Sequence, residues 1–398
     1  MIEAADGIAS VQGMPFLVPS AGQSSVSQRI LATGATEPSF TKVIQRLVRP
    51  GTHVADVGAN IGYFTCLMAQ ATGPGGGVVA FEPVERPREY LQHNVLQNEF
   101  DQVTVDKRAL ADWTGRGFLT LPAYRLQREV TGGERVAFEV EVGRLDDIIE
   151  QSAPQLDVIK VDIEGAELRA LRGMRELLER WQPIVAVEVH PAFLELYGDS
   201  AHDLESFFSE LNYAQAPVEA RTDTGGNFHL VAGPEDALKR ERLLPDGQAE
   251  TAFSLGSNHE WSRGNHSSVG IRGNDCSLEL TFDLADGAKE YLLTGSHEIE
   301  ASPCPSQLYE LSGDWYTELR WRAAIEERAA CSLWLFEYSG HALVNKSSFS
   351  VTSGEGSVAC VTDARTRTYR LGLRVTGAGT IRFDLLELLQ WEPPGGSE

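Results

Sequence analysis

The sequence predicts two folds in tandem: a doubly wound α/β domain over residues 1–235 and an all-β sandwich or jelly roll over 249–398, joined by a linker at 236–248. Three observations carry this. Up to about residue 233, strand-like apolar runs alternate with helix-period segments, the grammar of a parallel sheet covered on both faces. Beyond it, alternating runs such as "CSLELTFDL", "YTELRWRAAI" and "TYRLGLRVT" dominate, with turn residues between them. The stretch "GPEDALKRERLLPDGQ" between the two holds proline, glycine and charge, as a linker with a short helix does.

The elements of the first domain follow in order. "THVADVG" is a short apolar run ending in glycine, and "YFTCLMAQAT" continues with helical spacing. "GVVAFEP" is a second strand, "REYLQHNVLQNE" a helix, and "QVTVDKRALAD" is extended again. "LDVIKVDIEG" is a strand and "AELRALRGMRELLERW" a helix. "PIVAVEVH", "DLESFFSELN" and "NFHLVAG" close the series as strand, helix and strand.

Bulk properties narrow the function. The chain has 398 residues and a formal charge of −23, from 34 basic and 57 acidic side chains. That charge argues against nonspecific partners such as nucleic acid or an anionic membrane. The N-terminus lacks the basic start and apolar block of a secretory signal, and no run approaches the ~20 apolar residues of a membrane span. The five cysteines are scattered, odd in number and never spaced CxxC, so a reduced cytoplasmic setting is expected. The sequence leaves homo-oligomer formation open.

The motif "HVADVGANIGYFT" lies where the first strand of such a sheet turns toward the ligand crevice. Gly58 and Gly62 let the backbone approach a ligand, and the next helix offers free N–H groups. Asp56 can accept from a ligand ammonium, and Asn60 can hold a tight turn. The spacing is neither GxGxxG nor GxxxxGK[ST], which excludes the usual dinucleotide and phosphate loops. Glu82, ending the second strand in "AFEP", is placed to bind a ribose diol, and its charge disfavours a 2′-phosphate.

These residues resemble class I S-adenosylmethionine-dependent methyltransferases, and more closely the FkbM-type family. The stretches that carry the resemblance are "GATEP" at 34–38, "DVGANIGYFT" at 56–65, "AFEP" at 80–83, "ALAD" at 109–112, "IKVDIEGAE" at 159–167 and "VEVHP" at 187–191. They cover roughly residues 30–235. The resemblance implies S-adenosyl-L-methionine as cofactor and the strand order 3-2-1-4-5-7-6, with strand 7 antiparallel. It implies that the glycine loop holds the methionine part and Glu82 the ribose. It places the adenine near Arg108 and Ala109, through a backbone N–H, with Asp112 a weaker candidate. Glu37 is expected near the methionine end.

Two strand ends concentrate polar groups where chemistry is expected. Strand 4 ends with Asp162 and Glu164 beside Gly165. Strand 5 has period two, which puts Glu188 and His190 on one face and valines 185, 187 and 189 on the other. His190, with an ordinary pKa of about 6.5, is the expected base for proton removal from an acceptor hydroxyl. Glu188 or Glu164 would orient it or bind substrate hydroxyls. These four residues could also hold magnesium or manganese. No Asp-x-Asp spacing or second histidine supports an ion, so a metal-free site is the expectation.

The second domain loosely resembles carbohydrate-binding-module jelly rolls, through "GTIRFDLLEL". Trp261, Trp315, Trp321, Trp334 and Trp391 all lie there, with one or two expected at the surface for stacking on sugars. Substrate recruitment and oligomerisation are equal readings of this half. The expected activity is O-methyl transfer to a hydroxyl of a sugar, glycan or natural product, the partner being a small-molecule or glycan acceptor. The rival is a non-catalytic binding or scaffold protein on a degenerate methyltransferase fold, against which Asp56, Gly58, Gly62 and Glu82 speak.

Overall fold

Residues Gly7–Val11 (β1) and Met14–Val18 (β2) form an antiparallel hairpin. Its two-residue turn takes positive φ at both Gln12 and Gly13, the twist that matches hairpin strands. The computed structural model describes residues 6–19, 25–121, 125–129, 135–149, 154–218, 226–241, 243–244, 249–254, 261–263, 269–274, 277–284, 289–294, 309–310, 316–326, 328–339, 342–351, 353–361 and 366–391. The chain divides into two compact units. One comprises residues 1–216 and 226–238, the other 217–225 and 239–398. Among the described residues no helix is long and apolar enough to cross a membrane.

In the first unit, helices Ser25–Thr33 (α1) and Pro38–Leu47 (α2) precede the main sheet. α2 starts on a proline at its first turn and buries Phe40, Val43, Ile44 and Leu47, the spacing of one helical face. Strand His53–Val57 (β3) leads into helix Tyr63–Thr72 (α3), strand Gly77–Phe81 (β4), helix Glu85–Gln97 (α4) and strand Val103–Asp106 (β5). A meander of Ala109–Leu110 (β6), Gly115–Leu121 (β7), Arg125–Gln127 (β8) and Arg135–Gly143 (β9) then forms its own four-stranded sheet, ordered β6-β9-β7-β8. Helix Leu145–Ile148 (α5) leads back to strand Val158–Val161 (β10) and helices Glu167–Arg172 (α6) and Arg175–Trp181 (α7). The unit ends with strand Ile184–Val189 (β11), helices Pro191–Leu194 (α8) and Ala201–Glu210 (α9), and strands Ala214–Pro217 (β12) and Phe228–Gly233 (β13).

The main sheet has seven strands in the order β12-β13-β11-β10-β3-β4-β5. β11, β10, β3, β4 and β5 are parallel, and β13 runs antiparallel to β11. The central strands read VADV, VIKV and VAVEV and, apart from half-buried Glu188, are buried on both faces, as parallel strands under two helical layers must be. Helices α6, α7 and α9 bury Leu168, Leu171, Leu178, Leu204 and Phe208 against one face. Fully buried Asn94 ties the N-terminal hairpin to this framework. Its side chain accepts from Leu17 N–H (2.7 Å) and donates to Leu17 and Ile61 carbonyls (3.0 Å each).

The second unit is antiparallel throughout its described pairings. Its strands are Ala249–Ser254 (β14), Trp261–Arg263 (β15), Val269–Asn274 (β16), Ser277–Asp283 (β17), Lys289–Thr294 (β18), Tyr309–Glu310 (β19), Tyr316–Ile325 (β20), Ala329–Ser339 (β21), Ala342–Val351 (β22), Gly354–Val361 (β23) and Thr368–Trp391 (β24). The first part of β24 pairs with β18, β19 and β21, the last part with β14, β17 and β20. The change of partners falls at Gly377, whose φ is +85° and where a Cβ would lie 2.0 Å from the Arg328 carbonyl oxygen. Leu280, Leu333, Leu373, Ile381 and Phe383 from both groups of strands share one core. Trp321 belongs to that core, and Trp334 is half-buried between Phe336 and Arg374. Trp315 and the side chains of Trp261 and Trp391 lie outside the described residues.

Candidate active site

The loop after β3 is shaped by its neighbours. At Gly58, φ is +82° and a Cβ would stand 1.9 Å from the Asp162 carbonyl oxygen, so the loop can lie against the end of β10 only with glycine there. Gly62 has φ +90° and packs on Leu91 of α4. The close approach that the glycines permit is therefore to protein on the next strand and helix. Between them, exposed Asn60 takes φ +50° and donates its N–H to Glu82 Oε2 at 2.9 Å.

Glu82 is buried and lines a cavity of about 540 Å³, within the range of small-ligand pockets. Its second oxygen accepts from Val84 N–H at 2.8 Å. Burial pushes its carboxyl up to about 7, while the Val84 and Asn60 N–H donors, Arg88 and Lys160 pull the other way. Each oxygen keeps a lone pair for a further donor, which suits a diol. Gly58, Asn60, Glu82, Asp162 and Glu164 all line the cavity, and Leu119, Leu126 and Phe138 of the β7–β9 meander add apolar lining. Ala109 lines it beside Arg108, whose guanidinium is ion-paired to Asp106. Asp112 is exposed and is not among the residues lining this cavity.

Asp56 departs from the expectation that it faces a ligand ammonium. It is fully buried. Its carboxylate accepts from Thr65 Oγ1 at 2.6 Å and pairs with Lys160 Nζ at 3.2 Å. Lys160 is 2% exposed at the centre of the sheet, donates to the Gly58 carbonyl (3.1 Å), and lies 3.4 Å from Asp162. Burial alone would lower its ammonium; Asp56, Asp162 and Glu37 outweigh that and hold it above its ordinary value. Sequence reading passed over Lys160. Its signal was a lone charge inside the apolar run "VIKV".

His190 joins four carboxylates. Its Nδ1 is 2.7 Å from Glu167 Oε1, an oxygen that also accepts from Gly165 N–H at 2.8 Å. Its Nε2 lies 3.5 Å from Glu188, 3.5 Å from Glu164 and 3.9 Å from Asp162. Burial would lower the imidazole, but Glu167, Asp162 and Glu188 raise it to about 9. These carboxylates favour the protonated imidazole, which works against the expected role of His190 as a base at its ordinary pKa. Burial also raises the Asp162 carboxyl against the pull of Lys160. Glu188 is held well below the usual range, its burial outweighed by His229, His190 and Asn227. Glu164, at φ +53°, is raised by burial and by Glu188, Glu167 and Glu37, with His190 opposing.

Two further residues complete the cluster. His229 sits opposite Glu188 in the β11–β13 register, stacks on Phe40 at 4.2 Å, and places Nε2 3.6 Å from Glu37 and 3.8 Å from Glu188. Glu37 is thus beside Glu188 and His229, at φ +43° before Pro38, and is not among the residues lining the 540 Å³ cavity. Of the seven described non-glycine residues with positive φ, Glu37 and Glu164 lie in this cluster and Asn60 lines the adjoining cavity; such backbone costs of order 1–3 kcal/mol each and collects at functional sites. His229 was missed because the sequence alone does not give the pairing partner of "NFHLVAG".

The family profile described as "Methyltransferase FkbM domain" matches residues 56–214. The chain is 30% identical over 181 residues to the 31-O-demethyl-FK506 methyltransferase FkbM of Streptomyces tacrolimicus, an alignment covering 36% of this chain and 67% of that protein. The protein belongs to the FkbM methyltransferase family. It is also similar to the methyltransferase sdnD of Sordaria araneosa, 29% identical over 193 residues, 38% of this chain and 73% of that one. Among solved structures, it resembles the methyltransferase FkbM from Methylobacillus flagellatus KT, with a TM-score of 0.34 and 20% identity over 52% of this chain and 60% of the other. As an FkbM family member it is an S-adenosylmethionine-dependent methyltransferase.

Proposed function

We propose that the protein transfers the methyl group of S-adenosyl-L-methionine to a hydroxyl of a sugar, glycan or natural product. The observation that carries this is that Asp162 and Glu164 line the 540 Å³ cavity and also face His190 Nε2, so cofactor space and a proton-handling cluster adjoin. O-transfer is favoured by the name of the Streptomyces relative, which acts on a 31-O-demethyl compound. In this reading the loop Gly58–Gly62 holds the methionine part, Glu82 takes the ribose hydroxyls, and the apolar lining from the meander with Ala109 takes the adenine. The bound cofactor supplies an electrophilic methyl on a sulfonium. This chain's residues hold the acceptor in line and remove its proton.

The proton goes to Glu164. Its carboxyl is exposed enough to pass a proton to solvent, and burial with like charges makes it a stronger base than an ordinary glutamate. The acceptor oxygen would take the methyl group that the cofactor would supply, with S-adenosylhomocysteine as the leaving group. His190 and Glu188 orient the acceptor. The second unit recruits the substrate. Turnover on a panel of hydroxylated acceptors tests this: Glu164→Gln should lower it about 10²–10⁴-fold while S-adenosylhomocysteine affinity stays level. Undiminished turnover in that variant overturns the role of Glu164.

A further inference from the structure

We propose that Asp162, Glu188 and His190 form a binding site for one divalent cation of the manganese or magnesium class. The inference rests on the reading that the acceptor hydroxyl enters this cluster and adds what holds it there. His190 Nε2 faces Glu188 Oε1 at 3.5 Å and Asp162 Oδ1 at 3.9 Å, both too long for hydrogen bonds. Ligand atoms at about 2.1 Å from one ion stand about 3.0–3.4 Å apart, so these atoms lie close to the spacing of a shared coordination sphere. One donor atom from each of the three residues falls within 4.8 Å of the others.

The surrounding groups hold the three in that arrangement. Glu167, fully buried and fixed by Gly165 N–H, engages His190 Nδ1 at 2.7 Å. A carboxylate on the far nitrogen fixes ring and tautomer with Nε2 turned inward, as it does for histidines that ligate metals. Glu188 turns Oε1 to His190 and Oε2 to His229, and Asn227 Nδ2 donates to Oε1 at 3.1 Å. Lys160, 3.4 Å from Asp162 Oδ2, leaves Oδ1 toward His190. One imidazole and two carboxylates suit manganese or magnesium and leave positions for acceptor hydroxyls. The sequence, with neither Asp-x-Asp spacing nor a second histidine nearby, points to a metal-free site. Here the remaining ligands are carboxylates, and His229 only supports Glu188 from behind.

The experiment is a titration of the full chain, stripped by chelator, with Mn²⁺ alone, following loss of the free-ion electron paramagnetic resonance signal. One Mn²⁺ per chain should bind. Glu188→Gln, Asp162→Asn and His190→Gln should each weaken binding at least about tenfold, with circular dichroism unchanged. Calorimetry with S-adenosylhomocysteine runs in parallel. Cofactor binding that persists where Mn²⁺ does not bind leaves the methyltransferase reading standing and overturns only the cation site. No Mn²⁺ bound by the folded wild-type chain at millimolar concentration overturns the proposal. So does binding that survives Asp162→Asn but is lost in His229→Ala, which would move the ion to Glu37, Glu188 and His229.

Discussion

Lys160 and Asp56 form an ion pair, 3.2 Å apart, in which neither side chain is more than 2% exposed. The pair sits on adjacent parallel strands, directly opposite in register, and the same ammonium holds the Gly58 carbonyl. Removing one partner of a buried pair leaves an uncompensated charge and costs about 3–5 kcal/mol. Lys160→Met should therefore destabilise the cofactor-binding unit by that order, read by urea denaturation. It should also loosen the glycine loop, read as weaker S-adenosylhomocysteine binding. A variant as stable as wild type would show that the pair contributes nothing net.

Glu82 gives a pH dependence of cofactor binding. Its carboxyl is raised to about 7 by burial, and only the ionised form offers all its lone pairs to a diol. Affinity for S-adenosylhomocysteine should fall about tenfold per pH unit below that value and level off above it. Glu82→Gln should bind weakly and without this dependence. The folded pKa lies above the unfolded one, so Glu82's own contribution to stability is greatest at low pH and is lost as pH rises through about 7. A flat affinity profile between pH 6 and 8 in the wild type would remove Glu82 from the ribose site.

His190 in chelator-stripped protein should titrate near 9 by nuclear magnetic resonance of its ring protons. The raised value means that its contribution to stability is complete below about 6.5 and is lost as pH climbs through about 9. Glu167→Gln removes the carboxylate 2.7 Å from Nδ1, and the titration should move downward. A midpoint near 6.5 in the wild type would show that the carboxylates do not act together on the ring.

Gly58→Ala should abolish cofactor binding without unfolding the second unit. The added carbon would stand 1.9 Å from the Asp162 carbonyl oxygen, on backbone already at φ +82°. Calorimetry showing wild-type affinity would mean that the loop can move off β10.

The division of the chain after Leu238 predicts that residues 1–240 bind S-adenosylhomocysteine on their own. Turnover on a small acceptor should persist, and turnover on the full substrate should drop. A fragment that binds cofactor but methylates no acceptor of any size would make the second unit part of the acceptor pocket and defeat recruitment.

Much of this site was legible because its residues end strands. Period two along "VAVEVH" put Glu188 and His190 on one face, and their atoms meet at 3.5 Å. Glu82 could be placed because a fixed strand–helix–strand length carries the second strand end back to the first. The misreadings share a cause. Asp56 and Lys160 face each other across a strand pairing, and His229 faces Glu188 across another. Such partnerships depend on register, which local pattern does not encode. The β7–β9 meander went unread for a related reason: its strands pair among themselves and leave the alternation of the main sheet unbroken.

β24 is the last of the described strands to be synthesised. Each of its described partners (β14, β17, β18, β19, β20 and β21) precedes it in the chain. Those strands leave the ribosome with their central neighbour still unmade, so this unit cannot close until translation has passed residue 391. The first unit needs nothing beyond β13 for its sheet and can fold well before then. Translation thus sets an order: a catalytic body completed early, followed by a β unit whose edges stay exposed to aggregation until its spine arrives. Slow translation through 368–391 would lengthen that exposure, whereas a pause just after β13 would leave no such strands waiting.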